Sequence, residues 1–128
     1  MNMKSGILKV ALWLARGLAL CLFLFWGAFF VEHIQEWFIT PFPAHPPLRV
    51  CWMVGMHALL LAGLLLVLRW QLIGSLIVLG AGGVFFFSVA GKSALLFFGV
   101  TALPALLALY YWWQQRRLSD DSATAGAS

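Results

Sequence analysis

The chain has 128 residues, of which 63% are hydrophobic and 9% charged, and its formal net charge is +4. An average globular chain carries about 45–50% apolar and about 25% charged residues, and a water-soluble fold of this size has too much surface to cover with so few charges. Together with a mean hydropathy of +0.96, these figures exclude a disordered protein, a disulfide scaffold and a nucleic-acid binder, and point to an integral membrane protein of one domain.

Four apolar blocks follow one another, over residues 10–38, 51–68, 72–90 and 93–113. Each has about the 20 residues that a helix rising 1.5 Å per residue needs to cross about 30 Å of hydrocarbon. The apolar character runs all round each block, as in a span and not a surface helix. Runs such as Leu59-Leu60-Leu61-Ala62-Gly63-Leu64-Leu65-Leu66 lack the alternation of a transmembrane strand. The expected fold is therefore all-α, a four-span transmembrane bundle in up-down antiparallel order over residues 1–117, with a polar, disordered tail over 118–128.

Block one begins behind Lys4 and Lys9, in the manner of a signal peptide. Its apolar stretch is longer than an h-region and lacks a clean small-x-small site. Leu20 stands before Cys21 where a lipoprotein site needs a small residue. Block one thus reads as a retained span. Between blocks one and two lies Thr40-Pro41-Phe42-Pro43-Ala44-His45-Pro46-Pro47, which cannot continue a helix and favours an extended path; His45 reads as a solvated loop residue. The later connections, Arg69-Trp70-Gln71 and Gly91-Lys92, are short enough to force antiparallel neighbours. Ala90-Gly91-Lys92-Ser93 resembles the end of a phosphate-binding loop, but Phe86 stands where the first glycine is needed, so Lys92 reads as an interfacial anchor.

The cations orient the bundle. With the N-terminus inside, Lys4, Lys9, Arg16, Arg69, Arg116 and Arg117 lie on the inner side and Arg49 and Lys92 on the outer, six against two, as the positive-inside rule requires. Trp37 and Trp52 mark the outer interface, and Trp70 and the run Tyr110-Tyr111-Trp112-Trp113 the inner one. Arg16 to Trp37 is 21 steps of sequence, or about 31 Å of helix. Cys21 and Cys51 then lie near opposite faces, too far apart for a disulfide, and read as small packing residues. The small residues Gly17 and Cys21 in block one, Gly55 and Gly63 in block two, and Gly74, Ser75, Gly80, Gly82 and Gly83 in block three are expected to let helices approach within the bundle. Pro104 is expected to kink block four, with Thr101 taking up a freed carbonyl.

One polar constellation stands out. Glu32, His33, Gln35 and Glu36 end block one, and block two carries His57. Glu32 precedes Trp37 by five residues and His57 follows Trp52 by five, so each lies about 7 Å below its belt and Glu32 or His33 can face His57. Ionisable groups at such depth are functional candidates. Three readings compete for Glu32, His33, Glu36 and His57. The first is a structural carboxylate–imidazole bond between blocks one and two. The second is a proton or small-ligand site. The third is a metal or haem site at Glu32, His33 and His57, with Met53 and Met56 at the same level; its ligand count is marginal, so no cofactor is expected.

The stretch from Phe25 to Phe38 (FWGAFFVEHIQEWF), with Met56-His57 and Arg69-Trp70-Gln71-Leu72-Ile73-Gly74, resembles small uncharacterised bacterial four-helix integral membrane proteins of a domain of unknown function. The resemblance spans residues 8–113 and implies the four-span plan and a bacterial host, without an activity. With no nucleophile–base pair and no soluble catalytic domain, the chain reads as a non-enzymatic accessory, assembly or structural subunit of the plasma or inner membrane. Its expected partners are lipid and either a second copy or a larger membrane protein. The alternative is a proton-coupled or ligand-binding protein using the Glu/His cluster.

Overall fold

Four helices account for nearly all of the computed structural model, which describes residues 3–39 and 47–127. Helix α1 is Met3–Ile34 and runs into a π-helical turn, Gln35–Ile39. Helix α2 is Leu48–Val67, α3 is Gln71–Val89, and α4 is Ala94–Ala127, entered through a 3-10 turn, Gly91–Ser93. All four are long and apolar enough to cross a membrane. The proline segment and His45 fall outside the described residues, except for Pro47, whose φ of −58° and ψ of 150° are the extended geometry expected before a helix.

The helices pack in a ring, α1 against α2 and α4, and α3 against α2 and α4. A single cluster forms the core: Ala15, Ala19 and Trp26 of α1, Leu60, Leu64 and Val67 of α2, Val78, Ala81, Phe85 and Phe86 of α3, and Ala94, Ala105 and Ala108 of α4. Ala15 and Ala19 of α1 and Ala105 and Ala108 of α4 are fully buried in this core, and small residues of this kind let helix backbones approach closely. Large apolar side chains such as Trp13, Leu24, Phe25, Leu76, Leu95 and Leu106 point outward and are more than half exposed. Soluble monomers rarely expose contiguous apolar patches beyond a few hundred Å².

The tightest approach joins α2 to α3. The chain reverses over Leu68–Trp70, with the Arg69 and Trp70 N–H groups donating to the Leu66 carbonyl at 3.1 and 2.6 Å. A Cβ on Gly74 would run into the backbone nitrogen of Val67, and one on Gly63 would lie 3.0 Å from that of Val78. Gly91, at φ +57°, closes α3 in the left-handed conformation that glycine adopts without steric cost.

Other small residues behave differently from expectation. A Cβ placed on Gly55 or Gly17 would have no atom within 4 Å, and Cys21 and Cys51 are exposed, free thiols. Eight residues at about 100° each leave Gly55 about 80° round the helix from Gly63, so the two cannot share one contact. On α1 the inward small residues are Ala11, Ala15 and Ala19, not Gly17 and Cys21.

The tail expected to be disordered instead extends α4 to Ala127. Helix propagation is far easier than nucleation. Here Ser122 Oγ donates to the Leu118 carbonyl at 2.8 Å, and Thr124 Oγ1 to that of Asp120 at 2.7 Å, so their hydroxyls are satisfied within the helix. Pro104 is also accommodated inside α4 without ending it. With 32 and 34 residues, α1 and α4 are about 48 and 51 Å long. Their free ends pack together beside a crevice of about 380 Å³ lined by Lys4, Leu8, Gln114, Arg117 and Asp121.

Candidate functional site: a cavity with two histidines

His57 is the most deeply placed ionisable side chain of the candidate cluster, only 2% exposed. Its ring lies against Phe85, 4.6 Å between centroids, and edge-on to Phe30 at 5.3 Å. Its Nε2–H donates to the carbonyl of Trp26 at 3.0 Å; a carbonyl can only accept, so this nitrogen carries the proton. Trp26 in turn donates its indole N–H to Thr101 Oγ1 at 3.1 Å and packs its ring on Phe86 at 4.9 Å. One residue of α1 therefore reaches α2, α3 and α4.

His33 is half-buried and donates Nδ1–H to the Phe29 carbonyl one turn back, at 2.7 Å. Its ring stands 6.1 Å from that of His57, near perpendicular. Both rings border a cavity of about 170 Å³, shared with Trp37 of the π-helical turn, Met53 of α2, and Phe85 and Val89 of α3. Turns of this rare type recur at functional sites.

Of the two residues expected to be able to face His57, it is His33 that does so, 6.1 Å between ring centroids. Glu32 and Glu36 are exposed, and neither lines the cavity. The reason is helical phase. Trp26, Phe30 and His33 are spaced by four and three residues, which keeps them on one face, and all three rings meet that of His57. Glu32 lies one residue, about 100°, off that face. Among the described residues no group of three or more His, Cys, Asp and Glu is placed to hold a metal. Thr101 Oγ1 also receives the Trp26 indole N–H, a bond the sequence reading does not include.

Among the described residues two buried polar atoms lack a hydrogen-bond partner, Arg16 Nε and Ser75 Oγ. The anchors pair with aromatic faces: Arg16 over Trp13 at 5.4 Å, Arg69 over Trp70 at 5.8 Å, Arg116 over Trp112 at 5.1 Å and Arg117 over Trp113 at 4.0 Å. Trp37, Trp52 and Trp70 are exposed, as is Lys92 in the 3-10 turn. Sequence reasoning missed Trp26. The signal was a tryptophan far from either interfacial belt, whose N–H must find a partner if it is buried.

No protein-family model, curated protein or solved structure matches the chain.

Proposed function

We propose that the chain is a four-span integral membrane protein of a bacterial plasma membrane, with antiparallel neighbouring helices and both termini cytoplasmic. Its role is that of a non-catalytic accessory or assembly subunit. The carrying observation is how the polar groups inside the bundle are used: His57 bonds the Trp26 backbone and Trp26 bonds Thr101. Groups that could have lined a pore or served catalysis instead tie α1 to α2 and to α4. The four Arg–Trp pairs involve four of the six cations assigned to the inner side, which supports an inner belt where tryptophan and arginine anchor helices at the headgroups.

Much of the lateral surface of α1 and α4 is large, exposed and apolar, so a further membrane partner or a second copy fits the design. Native mass measurement from lipid nanodiscs tests this. The expected result is a mass above that of one chain, and a strict monomer in lipid would overturn the assembly role.

A further inference from the structure

We propose that the two-histidine cavity binds a soft monovalent metal ion, copper(I), through His33 Nε2, His57 Nδ1 and the thioether of Met53. Each ring is fixed by one N–H donated to a helix carbonyl, His33 Nδ1 to Phe29 and His57 Nε2 to Trp26. In the neutral ring that fixes the tautomer and leaves the other nitrogen, His33 Nε2 or His57 Nδ1, with a lone pair. A backbone carbonyl accepting from the far nitrogen is the usual support of a metal-bound histidine.

The spacing fits. Two metal–nitrogen bonds of about 2.0 Å, with about 1.1 Å more from each nitrogen to its ring centre, put the ring centres about 6 Å apart when the N–metal–N angle is wide. The observed separation is 6.1 Å. Met53 borders the same space, and the cavity of about 170 Å³ lies below the roughly 300–1,000 Å³ typical of organic ligand pockets. It suits an ion and not a macrocycle.

The donor chemistry selects the ion. Imidazole suits copper among several metals, and the soft thioether of Met53 is the ligand that selects copper(I). The carboxylates stay outside the cavity, so nothing there neutralises a dication, whose desolvation is far costlier than that of a monocation.

The test uses the full chain in detergent, loaded anaerobically with copper(I) and competed against a chromophoric chelator. One copper(I) per chain is expected, with nitrogen and sulfur neighbours in its X-ray absorption spectrum. His33→Ala and His57→Gln should each weaken binding at least about tenfold, the loss that even an outer partner of a metal ligand can carry. Met53→Leu should weaken it and remove the sulfur neighbour. Glutamine at 57 keeps an N–H for the Trp26 carbonyl, and if that variant still fails to fold, the half-buried His33 and Met53 carry the test. No retained copper, affinity unchanged in His33→Ala or Met53→Leu, or tighter binding of zinc(II) would overturn the site. These readouts concern metal alone, so their failure leaves the membrane-bundle reading standing.

Discussion

Trp26 does at one position what a helical bundle otherwise distributes over many. Its carbonyl, indole N–H and ring each contact a different helix. Side-chain hydrogen bonds between membrane helices average about 0.6 kcal/mol, with a maximum near 1.7. A double-mutant cycle of Trp26→Phe and Thr101→Val, followed by thermal unfolding in detergent, should give a coupling of about 0.5–1.7 kcal/mol. Additive single effects would show that the bond contributes nothing. Ser75 makes the opposite prediction. Its buried hydroxyl has no partner among the described residues, so Ser75→Ala loses no bond and should change stability by less than about 0.5 kcal/mol, or raise it.

At the level of helices and turns, the α2–α3 hairpin depends on a glycine. The Cβ introduced by Gly74→Ala would meet the Val67 and Leu66 backbone, which cannot move aside as a side-chain end can. A loss of about 1–3 kcal/mol is expected from overpacking. Gly80 has open space at the same atom, and Gly80→Ala should be neutral or stabilising by up to about 1 kcal/mol through helix propensity. Equal effects in the two variants, measured side by side, would contradict the close approach. The C-terminal turns of α4 make a similar claim. Removing residues 118–128 should lower far-ultraviolet helicity in proportion to the helical residues lost, whereas a disordered tail would leave the signal unchanged.

For the whole molecule, orientation is the property to measure. Cys21 and Cys51 are unpaired, and Cys51 stands beside Trp52 at the end of the bundle that holds the two-histidine cavity. In a Cys21→Ser variant, a membrane-impermeant maleimide should label Cys51 in intact spheroplasts. Labelling only after the membrane is opened would place that end in the cytoplasm and reverse the proposed topology.

The number of long apolar helices and the helical class were legible from residues alone, because apolar length and the lack of period-two alternation are properties of contiguous sequence. The breaks before Leu48, at Leu68–Trp70 and near Gly91 were legible for the same reason, since proline, a polar turn and glycine act locally. The neighbourhood of His33 and His57 was also within reach, through their depth below Trp37 and Trp52. Which acid or base met His57 was not. Depth is a single coordinate along the helix axis, and it cannot separate Glu32 from His33, which differ mainly by about 100° of rotation. That rotation is set by how α1 seats its aromatic face, where Trp26 meets His57 of α2, Phe86 of α3 and Phe97 of α4, a choice made jointly by four helices. The same joint packing turned Gly63 and Gly74 inward and left Gly17 and Gly55 facing out, although all four look alike in the chain.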